Sequence, residues 1–161
     1  MSYNDRRNQS GDREKRPIEY TIAFSEIFEE SWIERGINGS AITYCEKLGL
    51  FLAKVKRKHE IKSKEKEEAL TTSQFRNFYG ELKRIQLKGF ENEKSSFHLL
   101  RPKLAYAASR AKTRGAEVFK QEILKAHKAV NIDESGAEKR FANFCDFTEA
   151  VLAYHKANNG N

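Results

Sequence analysis

Between Ala41 and Tyr154 apolar residues return at every third or fourth position in one segment after another, the spacing of helices with one buried face. Ser40 reads as an N-cap, and Ile42, Cys45, Leu48, Leu52 and Val55 then mark a first helix from Ala41 to about His59. The lysine-rich stretch through Glu68 is either the frayed end of that helix or a mobile loop. Thr71 and Gln74 form a capping box, in which each side chain satisfies a free backbone N–H of the other residue. The second helix, started there, runs to about Leu87 with Phe75, Phe78, Tyr79, Leu82 and Ile85 on one face. Pro102 suits the first turn of a third helix, where its missing N–H removes no bond. Leu104, Ala105, Ala108 and Ala111 follow, and Gly115 supplies the stop. A fourth helix, about Ala116 to Val130, aligns Phe119, Ile123, Leu124 and His127. Ser135 and Glu138 make a second capping box for a last helix reaching about Lys156, over Phe141, Phe144, Phe147, Val151 and Tyr154.

No segment alternates with period two, and nothing repeats at a fixed interval. The fold class expected is therefore all-α, a compact bundle of about five helices over residues 40–161. A flexible, partly disordered N-terminal arm, residues 1–39, precedes it. Residues 1–16 are cationic with small polar filler. Ile18 to Ile33 carries Ile22, Phe24, Ile27, Phe28 and Trp32, a short amphipathic segment that docks either on the domain or on a partner, before Gly36 and Gly39 close it.

A chain of 161 residues suffices for one domain. It contains no run of eighteen apolar residues to span a membrane, and its polar start has no signal-peptide core, so a cytoplasmic location is expected. Cys45 and Cys145 are too few for a disulfide framework or a zinc site and read as reduced thiols. No metal, cofactor or catalytic constellation is legible. The histidines at 59, 98, 127 and 155 fit no zinc spacing, none follows an Arg as in one widespread kind of helical ribonuclease, and there is no GxxxxGK or GxSxG. His127 falls on an apolar helix face and reads as a core residue, whereas His155 is expected to be exposed or to touch a partner.

Thirty Lys and Arg against twenty-three acids give a net charge of +7. They are segregated: Lys54 to Lys66 holds seven cations and two acids, and Arg101 to Lys128 eight cations and two acids. On the second helix Arg76 and Lys83 lie seven apart on one face with Arg84 adjacent. On the third, Lys103, Arg110 and Arg114 align at spacings of seven and four, with Arg101 ahead of them and Lys112 within the same run. Cationic stripes opposite a core stripe suit a phosphate backbone, although a solvated surface produces the same pattern.

Three blocks carry a resemblance. LTTSQFRNFYGELKRIQ (Leu70 to Gln86), LLRPKLAYAASRAK (Leu99 to Lys112) and FANFCDFTEAVLAYHKANNGN (Phe141 to Asn161) occur in order. Together they resemble the small subunit of type III-A CRISPR (Csm) effector complexes. The resemblance implies a non-catalytic helical bundle present in several copies, lining the channel in which guide RNA and target RNA pair. Its partners would be those RNAs, the other Csm subunits and further copies of itself, with no membrane. The family's basic positions map onto Arg76, Lys83, Arg84, Arg101, Lys103 and Arg110; Lys112 and Arg114 extend the set from the charge pattern. Two other readings stay open, a helical adaptor with an acidic protein partner and a helix-turn-helix DNA-binding protein. The long gap from Lys88 to Leu99 argues against the latter between the second and third helices.

Overall fold

The structure, a computed structural model, describes residues 16–59 and 65–159. After one helical turn, α1 (Ser31–Glu34), come five longer helices among these residues: α2 (Gly39–Lys54), α3 (Thr72–Lys88), α4 (Lys94–Ala111), α5 (Arg114–Ala129) and α6 (Ala137–Asn159). Two strands of two residues each, β1 (Lys56–Arg57) and β2 (Lys66–Glu67), pair antiparallel between α2 and α3, and Tyr20 bridges to Arg57 on the other side. The all-α bundle read from the periodicity is present.

α6 packs on α1, α2, α3 and α5, most extensively on α2. Its buried face is Phe141, Phe144, Phe147 and Val151. The α2–α6 crossing is close because Gly49 lacks a side chain: a Cβ there would stand 2.5 Å from Tyr154 Cβ and 2.8 Å from His155 N. Gly115 does the same for α5. Its N–H donates to the Glu68 carbonyl at 2.8 Å, and a Cβ would meet Glu68 O and Leu70 N at 2.6 Å each.

The amphipathic segment before α2 docks on the domain. Trp32 and Ile33 are buried, and Phe24 and Phe28 pack beside them against Tyr44 and Phe147. Asn143 on α6 donates its Nδ2–H to the Ile33 carbonyl at 2.8 Å. Of the arm expected over residues 1–39, residues 1–15 lie outside the described residues, and Tyr20 to Ile37 lies against the core.

Several boundaries differ from the sequence reading. The cap of α2 is Asn38, whose side chain accepts from Ala41 N at 3.0 Å, and the helix ends at Lys54, where Val55 turns extended to begin the small sheet. The capping box of Thr71 and Gln74 is formed as expected, at 3.1 and 2.9 Å. α4, in contrast, starts at Lys94 and holds Pro102 in its interior. Upstream of the proline, Phe97 and Leu100 are buried, and burying two large side chains outweighs the ~3 kcal/mol a helical proline costs. The gap after α3 therefore shrinks to Gly89–Glu93, most of it a 3-10 turn at Phe90–Asn92, and its length no longer opposes a helix-turn-helix. α4 also stops before Gly115: Lys112 takes the left-handed conformation at φ 53°, and Thr113 caps α5 by accepting from Ala116 N at 3.2 Å.

At the start of α6 the residue before the helix is Gly136, not Ser135, and the loop is held by Arg140. Its guanidinium donates to the carbonyls of Val130 (2.6 Å), Ser135 (2.9 Å), Asn131 (3.1 Å) and Glu134 (3.3 Å). Ala105, read as a core position, is exposed, and Ile42 is also partly in solvent.

Candidate nucleic-acid interface

The cations named from the sequence divide among four places. Arg76 and Lys83 share the outer face of α3, where Arg76 is exposed. Lys83 leans along its own helix, with Nζ 5.4 Å from the Tyr79 ring centre and 3.1 Å from Gln86 Oε1. Arg84, one residue on, turns a further 100° and points to α4 instead. There Glu81 gathers two cations: Arg84 Nη2 and Nε donate to its carboxylate at 2.8 and 3.2 Å, and Lys103 Nζ of α4 donates at 3.3 Å. Glu93 lies 3.4 Å from Arg84 Nη1. Hydrogen bonds from Arg84, then from Lys103, hold the Glu81 carboxyl down at about 2 despite its partial burial.

On α4 Lys103 and Arg110 are seven apart and both exposed, with Lys103 59 % accessible despite its contact with Glu81. Arg110 lies over the Tyr106 ring at 5.8 Å and its Nη1 donates to the phenol oxygen at 3.4 Å. Arg101 leaves this face. It points toward α5, in a shallow hollow shared with His98, His127 and Lys128. Arg114 is not on α4 at all, because the chain reverses at Lys112. In the first turn of α5 it lies 5.6 Å over the Tyr20 ring, and its backbone N–H donates to the buried Glu68 carboxylate at 2.7 Å. Glu68 and Thr113 thus occupy donors at the α5 N-terminus that would otherwise attract a phosphate. Lys112 is exposed at the α4–α5 corner. The spacing of seven and four that joined Arg114 to Lys103 and Arg110 is therefore broken by the left-handed residue between them.

Between α3 and α4 runs a groove of about 330 Å³, floored by Leu70, Phe78, Leu100, Leu104, Ala108 and Phe119 and bordered by the Glu81–Lys103 pair. Lys103 stands at its edge, whereas Arg76 and Lys83 do not line it.

Two of the histidines serve packing. His127 is buried, stacked on Phe97 with ring centres 4.0 Å apart, and its Nε2–H donates to the Phe97 carbonyl at 2.7 Å. Burial pulls its pKa down to about 4. His155, expected to be exposed or to touch a partner, is likewise buried within the domain, and its Nε2–H donates to the Leu70 carbonyl at 2.7 Å. The buried thiols Cys45 and Cys145 are both pushed up to about 12 by desolvation.

A family model described as Csm2 Type III-A matches residues 51–161. The chain belongs to that family. It is thus a small subunit of type III-A CRISPR Csm complexes, and it has other Csm subunits as partners. The Csm2 match takes in every cation of the α3–α4 face and the whole of α3 to α6, while Trp32, Ile33 and Tyr44, which complete the core, precede it. No curated protein and no solved structure matches the chain. No helix among the described residues is long and apolar enough to cross a membrane. Two features of this Csm2-family surface were not anticipated, the carboxylate of Glu81 between two cations and the exposed ring of Tyr106. The first was signalled by the Glu81–Arg84 spacing of three, the second by the Leu104–Ala108 spacing of four, which leaves Tyr106 off the core face.

Proposed function

We propose that this Csm2-family chain is a non-catalytic, repeated cytoplasmic subunit whose α3–α4 face contacts the backbone of paired guide RNA and target RNA in the interference channel, for antiviral defence. The observation that carries the reading is the exposed cationic face of α4, Lys103 and Arg110, with Arg84 of α3 brought beside Lys103 across Glu81, while Arg76 and Lys83 add charge on the other side of α3. α4 contains no acid from Lys94 to Ala111, so an anion approaching it meets no repulsion from that helix. Arg and Lys on helices neutralise phosphates without reading bases, which suits a duplex whose sequence is already read by pairing. Arg101, Lys112 and Arg114 lie off this face and would contribute by long-range attraction alone. His127 and His155, each committed by Nε2 to a carbonyl, support a role without acid–base chemistry.

The test compares Lys103→Ala with Arg110→Ala against an equal loss of charge on the exposed α6 residues Lys139 and Lys156. The α4 pair is expected to weaken binding to any RNA sequence and to lower the salt slope by about 0.7 per lost contact on single strands. Equal effects from both pairs would reduce the face to a solvated surface. Loss of co-purifying Csm subunits with RNA affinity intact would favour a purely protein-binding adaptor.

A further inference from the structure

We infer that Tyr106 is a stacking platform for an unpaired nucleobase, a contact that rests on the RNA-binding reading above and adds to it a site other than phosphate. Among the described residues Tyr106 is the one Phe, Tyr or Trp whose ring is exposed, at 64 % of its accessible area. Every other described aromatic is buried or packed partly against the core. An aromatic ring gains most from burial, so one left in water on a well-packed helix has an unused binding capacity.

Its surroundings specify the ligand. Arg110, four residues on, lies over the ring at 5.8 Å and donates to the phenol oxygen at 3.4 Å, which orients the ring against the guanidinium. Lys103, three residues back, adds a second exposed cation on the same side of α4. Beside these two cations, the neighbours on the helix surface are Pro102 and Ser109, exposed and short, so they leave the approach to the ring open. A flat apolar surface flanked by cations fits a planar ligand that carries anionic charge on its backbone, which is the chemistry of a nucleotide in a strand. A protein hot spot can also be built from Tyr, Arg and the exposed Leu99. The absence of any acid on α4 and the two cations beside the ring favour the polyanion. A fully paired base buries both its faces in the helix stack, so the ring would engage an unpaired position, a gap, a bulge or a strand end.

The experiment uses the full chain with two probes, a short single-stranded RNA and a fully paired RNA duplex, and the variants Tyr106→Ala, Tyr106→Phe and Lys103→Ala. Tyr106→Ala is expected to weaken single-strand binding about tenfold with an unchanged salt slope, while duplex binding stays put and Tyr106→Phe binds as the parent. At saturating protein, a 2-aminopurine base in the single strand should lose fluorescence with the parent and keep it with Tyr106→Ala. Parent-like binding and quenching by Tyr106→Ala, with Lys103→Ala weakened, would overturn the stacking site and leave the phosphate reading standing. No effect from either substitution would remove both. Equal losses on single strand and duplex, or lost association with protein partners at unchanged RNA affinity, would also overturn it. Circular dichroism checks that each variant keeps its helices.

Discussion

The imidazole of His155 donates its Nε2–H to the carbonyl of Leu70, 85 residues earlier, at 2.7 Å. Leu70 itself donates its N–H to the Leu52 carbonyl at 2.8 Å and immediately precedes the Thr71 cap of α3. One residue thereby links the end of α6, the end of α2 and the start of α3. A carbonyl only accepts, so the proton must reside on Nε2. Substitution of His155 by Leu, which keeps the bulk but leaves the Leu70 oxygen without a donor, should lower unfolding free energy by about 1–3 kcal/mol. His155→Gln, which retains a donor, should lose less. Urea denaturation of the two variants distinguishes a hydrogen-bond role from simple filling, in which Leu would equal or surpass Gln.

Acid should destabilise the fold in a defined window. Burial lowers the pKa of His127 to about 4 and lowers that of His155 as well. An unfolded imidazole titrates near ~6.5, so the unfolded chain binds protons first as pH falls. Stability from these groups is full above the unfolded pKa, declines as pH falls from there through the folded values, and levels off below them. For His127 the loss is on the order of 3 kcal/mol. Glu81, titrating at about 2, contributes its loss at lower pH. Urea midpoints between pH 7.5 and pH 4.5 should therefore fall, and His127→Asn should flatten the slope; a level profile in the parent would contradict the buried neutral assignment.

Two glycines in helix interiors should respond in opposite directions. Gly49→Ala forces a Cβ into the backbone of α6 and should destabilise by at least about 1–3 kcal/mol, because backbone cannot move aside as a flexible side chain can. Gly80, on α3, has nothing within 4 Å of its would-be Cβ. Its replacement by Ala should stabilise by about 0.5–1 kcal/mol. Thermal melts of the pair, read against the parent, test the α2–α6 contact with an internal control.

Glu81 competes with any phosphate for Arg84 and Lys103. Glu81→Gln removes that charge while keeping a side chain of the same shape, so RNA affinity should rise severalfold at low salt and the salt slope should steepen. Reduced affinity would show that the carboxylate's main effect is to position the two cations.

What could be read from residue patterns alone depended on whether a local signal existed. The α3 start was legible because Thr71 and Gln74 cap each other within four residues, and the α6 face because its aromatics hold strict helical spacing. The α4 start was not, since Glu93 makes no cap bond to the backbone and Pro102 imitates an N-terminus; only burial of Phe97 and Leu100 fixes helix before it. Arg114 was assigned to the wrong helix because a single left-handed residue, Lys112, reverses the chain without a glycine. His155 was misplaced because its partner is a carbonyl far away in sequence. Of the candidate face, Lys103 and Arg110 were correctly paired by their spacing of seven, whereas Arg84 needed the neighbouring helix to be seen beside Glu81.

The Gly49 crossing has a mechanical counterpart between α3 and α4. α2 and α6 meet backbone to backbone with no slack and must move as one beam. α3 and α4, in contrast, are separated by the 330 Å³ groove and tied across it by an ionic contact at 3.3 Å. Such a contact yields over tenths of an ångström with little change in energy, whereas packed side chains resist the same displacement. The spacing between α3 and α4 is therefore the more yielding dimension of the body, where a small shift meets less resistance than across the Gly49 crossing.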